Sequence, residues 1–199
     1  MSLLRAFIAL EIPAKVQKNI HQATSNLRSE IGSLIRWVPA ENMHLTLKFL
    51  GDISSANVQF LTQMIRVEAD AHHCFDIHLT GLGAFPSPKR ARAIYIGIQA
   101  PVELETLQHA VESAANRLGY KSDANGGRSF SPHLTVGRVK KSISSADQQK
   151  IRRALDETKI DSLGTARVDS VNLYKSDLKP TGSVYTRLYS ASLRKRKSL

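Results

Sequence analysis

The chain has a single cysteine, Cys74, among its 199 residues, so no disulfide can form within it. A lone cysteine is typical of proteins in a reducing compartment, and we expect a cytoplasmic location. No apolar run approaches the roughly 20 residues that a membrane-spanning helix needs. The first apolar stretch contains Glu11, which argues against a secretion signal. We therefore expect no membrane contact.

Acidic residues are also scarce. The chain has 17 Asp and Glu against 28 Lys and Arg, which gives a formal net charge of +11 and a sequence pI near 10.0. An excess of this size favours an anionic partner, and for a cytosolic protein RNA is the leading candidate. Part of the charge lies in a basic tail over residues 194–199, to which we assign no specific role.

Two short strings carry most of the information in the sequence. HLTL and HLTV begin at His44 and His133, which are 89 positions apart. Each lies in an apolar run typical of a β-strand, where side chains alternate between two faces. The alternation puts each histidine on the same face as the following threonine, Thr46 or Thr135. It assigns Phe49 to the opposite, apolar face.

An internal repeat relates the two strings. A shift of 88 positions aligns Pro13 with Pro101. From the HLT strings onward the shift is 89 positions, and it aligns Phe85 with Tyr174. The order strand, helix, HLT strand, helix, strand therefore occurs twice. Such a duplication predicts a pseudo-two-fold axis that brings the two histidines together across one cleft. A third HLT string begins at His78, but its surroundings do not match, and we expect a solvent-facing strand residue there.

We expect an α+β fold with one bilobal domain over residues 1–199. It has two antiparallel sheets flanking a central cleft, helices on the outside, and a monomeric state. No linker-like stretch separates the halves. The glycine-rich residues 121–131 are predicted to form a mobile loop before the second HLT strand. The hydrophobic periodicity predicts further strands over 3–11, 43–50, 75–82, 92–99, 166–174 and 183–193, and helices over 14–31, about 54–70, 101–118 and about 144–157.

Paired histidines suit phosphoryl transfer. Histidine titrates near neutral pH, so one imidazole can take a proton from an attacking water while the other gives one to a leaving oxygen. The hydroxyls of Thr46 and Thr135 can donate to the non-bridging phosphate oxygens. Lys48 and Arg138 follow the two strings closely, and we expect them to neutralise phosphate charge. For Lys48 the alternative is a solvated position at the end of the strand.

Metal chemistry fits this sequence less well. Magnesium and two-metal sites need carboxylates or carbonyl oxygens, and neither HLT string has an adjacent Asp or Glu. His72, His73, Cys74 and His78 are metal-ligand types, but their spacing matches no zinc pattern. A serine hydrolase is also disfavoured, because no G-x-S-x-G string occurs. We therefore expect neither a metal nor another cofactor.

These features together resemble the two-histidine phosphoesterases, whose hallmark is a pair of H-x-T-x motifs. Within that family the chain resembles the bacterial RNA 2′,3′-cyclic phosphodiesterases, also called 2′-5′ RNA ligases. The similarity covers almost the whole chain, and it is carried by RAFIAL (5–10), RWVPAENMHLTLKFLGDI (36–53), GLGAFPSPKRARAIYIGI (81–98), FSPHLTVGRV (130–139) and LYKSDLKPTGSVYTRL (173–188).

The resemblance implies metal-free hydrolysis of RNA 2′,3′-cyclic phosphate ends to 2′-phosphates, on tRNA fragments or oligonucleotides. By the family's usual assignment, His44 is the proton donor and His133 the acceptor, and Thr46 and Thr135 bind the phosphate. The pseudo-symmetry alone leaves the two imidazole roles open. Two alternatives stay open as well: reversible 2′-5′ ligation of tRNA halves at the same site, and a non-catalytic RNA-binding module.

Overall fold

The computed structural model describes residues 3–121, 130–180 and 182–195, and within them the apolar runs of period two form strands. The strands are β1 (Leu3–Glu11), β2 (Ile35–Trp37), β3 (His44–Ser54), β4 (Phe75–Phe85), β5 (Ala93–Gln99), β6 (His133–Val139), β7 (Ser162–Val168), β8 (Ser170–Lys179) and β9 (Gly182–Ser192). The amphipathic segments form the helices α1 (Ala14–Ala23), α2 (Ser25–Ile31), α3 (Val58–Ala71), α4 (Val102–Arg117) and α5 (Ser145–Glu157).

The strands make two antiparallel sheets, which confirms the α+β prediction. Sheet A has the order β3-β1-β8-β9, and sheet B has the order β2-β6-β5-β4-β7. Helices α3 and α4 pack against sheet A, whereas α1 contacts β7 of sheet B and α5 packs against α2. Ile8, Leu173 and Ile94 are fully buried, and burial of one such side chain contributes about 1.5–3 kcal/mol.

The two halves of the chain exchange strands. β1 pairs with β3 in the first half, and β5 pairs with β6 in the second. β4, from the first half, crosses to pair with β5, whereas β8, from the second half, crosses to pair with β1. Each sheet therefore contains strands of both halves, which ties the position of one histidine strand to that of the other.

Two predicted elements differ from the structure. The helix expected over 14–31 is two helices, because Thr24 between them departs from helical dihedral angles, with φ −95° and ψ 5°. Its hydroxyl donates back to the carbonyl of Ile20. The strand expected over 166–174 spans parts of β7 and β8. Buried positions alternate with period two up to Val168, but the next buried residue is Val171, three positions later. This odd spacing marks the break between the two strands, which was not predicted from the sequence. Most of the loop expected over 121–131 lies outside the described residues.

Candidate active site

His44 and His133 begin β3 and β6 and are held in the same way. Nδ1 of His44 lies 2.8 Å from the carbonyl oxygen of Asn42, and Nδ1 of His133 lies 2.7 Å from that of Ser131. A carbonyl oxygen only accepts a hydrogen bond, so each Nδ1 is assigned the proton. In the neutral ring this leaves Nε2 unprotonated and available for proton transfer.

Aromatic rings support each imidazole at equivalent positions of the repeat. The His44 ring stacks on Phe7, with centroids 4.7 Å apart, and Phe7 stacks in turn on Tyr174. The His133 ring meets Phe85 edge-on at 4.8 Å, and Phe85 stacks on the Tyr95 ring. The shifts of 88 and 89 positions relate Phe7 to Tyr95 and Phe85 to Tyr174, so the two ring clusters are related by the pseudo-symmetry.

A β-bulge follows the first HLT string and changes which side chains reach the cleft. The register of β3 on β1 shifts so that Leu47 is an extra residue, Lys48 opposes Ile8, and Phe49 opposes Phe7. Directly opposed residues share a face of the sheet. Phe49 therefore lies on the cleft face and is 69% exposed. The strict alternation that assigned it to the apolar face is wrong.

The same bulge turns Lys48 away from the cleft. Its side chain is 3% exposed and its ammonium lies 2.5 Å from a carboxylate oxygen of Glu112 in α4, behind sheet A. The structure thus contradicts the phosphate-binding position expected for Lys48. The sequence pattern could not give the reason, because period-two alternation holds only while the strand is regular.

A matching bulge in β6 puts a charged side chain on the cleft face, whereas the bulge in β3 turns one away from it. Val136 is the extra residue there, and Arg138 opposes Ala93 on one side and Arg36 on the other. Arg138 is exposed on the cleft face, at the repeat position that corresponds to Phe49. Its role in binding phosphate stays a prediction.

The electrostatics of His44 link both imidazoles and this arginine. Burial of the ring lowers the pKa of His44, and the nearby positive charges of Arg138 and His133 lower it further, against the hydrogen bond with Asn42, which raises it. Strands β3 and β6 are in contact with each other, and charges shift a pKa mainly from close by, so the three side chains belong to one site. In the free protein His44 is mostly neutral at pH 7.

Thr46 and Thr135 lie beside their histidines on the cleft faces. Thr46 opposes Ala9 on β1, and Thr135 opposes Tyr95, whose ring contacts His133. Both threonines are half-buried. The structure thus brings the two HLT strings to one cleft, while the expected role of the hydroxyls in phosphate binding stays a prediction.

A group of polar and aromatic residues beside His44 was missed by the sequence reading. The Tyr174 hydroxyl donates to the Glu11 carboxylate, and an Arg187 N–H donates to the same oxygen at 2.7 Å. Burial, and then the contact with Glu11, raise the pKa of Tyr174, so it remains a neutral donor. Tyr185 meets the His44 ring edge-on at 5.1 Å. The sequence indicated this group only through the spacing of Tyr185 and Arg187, which are two positions apart and so share a face of β9.

The histidine of the third HLT string, His78, has different surroundings. His78 is exposed on β4 and its Nδ1 lies 2.9 Å from the Thr165 hydroxyl, as expected for a solvent-facing strand residue. Among residues 3–121, 130–180 and 182–195, no group of three or more His, Cys, Asp or Glu is placed to hold a metal ion. None of the described helices is long and apolar enough to cross a membrane.

Comparisons with known proteins identify phosphoesterases as relatives of this chain. A family model described as "LigT like Phosphoesterase" matches residues 10–95. An RNA 2′,3′-cyclic phosphodiesterase of Aeropyrum pernix is 31% identical over 162 residues, which cover 79% of this chain and 86% of that protein. A protein of the same name from Methanothermobacter thermautotrophicus is 29% identical over 183 residues, or 92% of this chain and 95% of that protein.

Solved structures share the fold over nearly the whole chain. The protein TT0787 of Thermus thermophilus superposes with a TM-score of 0.80 at 25% identity and covers 96% of this chain and 99% of that one. Escherichia coli LigT, solved in complex with 3′-AMP, superposes with a TM-score of 0.75 at 25% identity and the same coverage. With the paired H-x-T-x strands in one cleft, these similarities show that the chain belongs to the LigT-like phosphoesterase family.

Proposed function

We propose that this protein hydrolyses RNA 2′,3′-cyclic phosphate ends to 2′-phosphomonoesters without a metal. The observation that carries the proposal is the equivalent pair of imidazoles, His44 and His133, each held through Nδ1 by a carbonyl oxygen two residues earlier. Such a pair can supply an acid and a base to the same phosphorus centre. The net charge of +11 supports an RNA substrate, and we propose a cytoplasmic monomer.

The reaction is an in-line displacement at phosphorus. A water molecule attacks the phosphorus while Nε2 of His133 takes one of its protons. The bond from phosphorus to the ribose 3′ oxygen breaks, and that oxygen receives the proton carried on Nε2 of His44. The products are a 2′-phosphate and a 3′-hydroxyl, and exchange with solvent restores the two imidazoles to their starting states.

The protonation of His44 depends on the substrate. Burial and two positive neighbours lower its pKa in the free protein, so an acid role requires that it gain a proton when the substrate binds. An anionic phosphate near the ring favours the charged imidazolium and raises its pKa. Substrate binding and loading of the acid are therefore coupled in this proposal.

Hydrogen-bond donors stabilise the charge that builds on the phosphate oxygens. We assign this role to the hydroxyls of Thr46 and Thr135 and to the guanidinium of Arg138. Lys48 is left out because its ammonium is paired with Glu112 behind the sheet. Donors already in place cost no reorganisation during the reaction, and each contributes about 10²–10³ in rate.

The test is turnover of an oligonucleotide with a 2′,3′-cyclic phosphate end, in EDTA, with the chemistry of the product end determined. We expect 2′-phosphate product from the wild type and from His78→Ala, a matched control at the third HLT string. His44→Ala and His133→Ala should lose about 10²–10⁴ in kcat. Abolition by the chelator, or full activity of His44→Ala, would contradict the proposal.

The same assay separates the alternatives. A ligase would join the cyclic phosphate end to an added RNA with a 5′-hydroxyl. That hydroxyl would take the place of the water, the bond from phosphorus to the 3′ oxygen would break as before, and a 2′-5′ linkage would form with each imidazole in the same role. A binding module would show salt-dependent RNA binding that is unchanged in His133→Ala and no turnover of any cyclic phosphate.

A further inference from the structure

The side chain of Asn42 joins two parts of the molecule that both touch His44. Its amide nitrogen Nδ2 donates to the backbone carbonyl of Ser183 in β9 at 3.1 Å, across 141 positions of the chain. Its own backbone carbonyl accepts from Nδ1 of His44. Tyr185, two residues after Ser183, meets the His44 ring edge-on. The four residues therefore form a closed circuit of contacts around the imidazole, and no step of the reaction uses the side chain of Asn42.

The peptide group that holds His44 is also fixed by local structure. Asn42 ends a short 3₁₀ turn that begins at Ala40, and the N–H of Met43 donates to the carbonyl of Ala40 at 3.0 Å. The Met43 side chain is buried in the core. One side of the peptide is thus set by the turn and by Met43, and the bond from the Asn42 side chain ties the turn to β9.

The end of the β8–β9 hairpin depends on such a bond because little of the core lies behind it. Leu178 and Val184, near the tip, are 70% and 41% exposed, and Ser183 pairs with Leu178. Packing therefore contributes little to the position of this part of β9. The hydrogen bond from Asn42 holds the strand at Ser183, directly before the ring that contacts His44.

The repeat position in the other half of the cleft lacks this bond. The shift of 89 positions relates Asn42 to Ser131, whose carbonyl accepts from Nδ1 of His133. Ser131 is exposed, and its hydroxyl makes no hydrogen bond within the part of the chain that the structure describes. The long-range bond thus belongs to the His44 side alone, where the proposed reaction needs a proton delivered to one particular oxygen.

We propose that Asn42 is a positioning residue for the acid step, and that its side chain keeps the imidazole of His44 aimed at the leaving oxygen. The inference rests on the proposed function and extends it. The bond to Ser183 fixes the direction of the Asn42 carbonyl, and that carbonyl in turn selects the Nδ1–H tautomer and the orientation of the ring. Without the amide, the turn and β9 can move apart, and the imidazole gains other orientations.

The experiment uses two oligonucleotide substrates that differ at the leaving atom, which is the 3′ oxygen or a sulfur in its place. A thiolate leaves without a proton, so only the oxygen substrate needs the acid. We expect Asn42→Ala to lower kcat on the oxygen substrate by about 10- to 100-fold, as displacement of a catalytic group by about 1 Å does. KM should stay within about twofold, and the loss of kcat on the sulfur substrate should be much smaller.

Asn19→Ala is the matched control. Nδ2 of Asn19 also donates to a distant backbone carbonyl at 3.1 Å, that of Leu163, and this bond joins α1 to β7. The variant loses the same kind of bond and should keep kcat on both substrates. An equal loss on the two substrates in Asn42→Ala, a raised KM with kcat retained, or no loss at all would overturn the inference.

A second measurement needs no substrate. In ¹⁵N NMR spectra of the free protein, the His44 imidazole should be in the Nδ1–H form in the wild type and in a mixture with the Nε2–H form in Asn42→Ala, while His133 is unchanged. An unchanged His44 tautomer would also overturn the inference. A wild type that cleaves neither substrate would instead refute the proposed function, and the NMR result would still test whether Asn42 positions the ring.

Discussion

The two halves of the cleft start from the same motif but differ in what surrounds it. Beside His44 the chain has the Phe7, Tyr174 and Tyr185 rings and an ion pair, and beside His133 it has the stacked rings of Phe85 and Tyr95. The position five residues after the histidine is Phe49 in one half and Arg138 in the other. Duplication thus accounts for where the imidazoles lie, whereas the different roles that we propose for them must come from these neighbours.

The largest expected effect distinguishes the two imidazoles. A substrate with sulfur in place of the 3′ bridging oxygen has a leaving group that departs as a thiolate and needs no proton. His44→Ala, which loses about 10²–10⁴ in kcat on the oxygen substrate, should recover most of that loss on the sulfur substrate. His133→Ala should recover none, because the water still needs a base. The measurement is single-turnover cleavage of both substrates.

Recovery in His133→Ala instead would reverse the assignment of acid and base. Similar recovery in both variants would mean that the two halves are chemically equivalent despite their different neighbours.

The threonines should behave alike, in contrast to the histidines. Thr46→Val and Thr135→Val each remove one donor to the phosphate oxygens, and we expect each to lower kcat/KM by about 10²–10³. Thr→Ser at either position keeps the hydroxyl and is the matched control. If only one of the two valine variants lowers kcat/KM, the phosphate lies off the pseudo-two-fold axis.

Arg138→Gln tests the charge difference between the halves. Removing the positive charge makes protonation of His44 easier, so the pKa of His44 should rise in the free protein, as followed by NMR titration of the imidazole. The value of kcat/KM should fall by about 10²–10³, since the phosphate loses a charged donor. Arg36→Gln, at the neighbouring position of β2, should leave the pKa of His44 unchanged. An unchanged pKa in Arg138→Gln would contradict the proximity of these two groups.

The smallest effect on activity is expected at Lys48. Lys48→Met should leave kcat and KM within about twofold of wild type, because its ammonium lies behind the sheet with Glu112. The free energy of unfolding in urea should fall by about 1–3 kcal/mol, since a part-buried carboxylate loses its partner. Adding Glu112→Leu should restore much of that stability. A large rise in KM for Lys48→Met would contradict this and would indicate that Lys48 contacts the phosphate.

The sequence was sufficient where the physical rule is local and regular. Period-two alternation predicted that His44 and Thr46 share a face, and the repeat offset predicted that Phe85 corresponds to Tyr174, as the two ring clusters confirm. The sequence was not sufficient to predict which side chains face the cleft where a strand is irregular. The bulge at Leu47 depends on how β3 pairs with β1, which is a contact between distant parts of the chain. The position of Tyr185 beside His44 likewise depends on the length over which β9 pairs with β8.

The bulges in β3 and β6 also determine which charges line the cleft. Between Lys48 and Phe49, the irregular step alone decides which side chain meets the substrate and which lies behind the sheet. Deletion of Leu47 would remove the bulge and leave Lys48 opposite Ile8 and Phe49 opposite Phe7, as they are now. Even pleating of the full-length strand would instead exchange the two, putting an ammonium where a phenyl ring now lies. In this fold, the pairing register of a strand can therefore set the charge of the cleft as sharply as a substitution does.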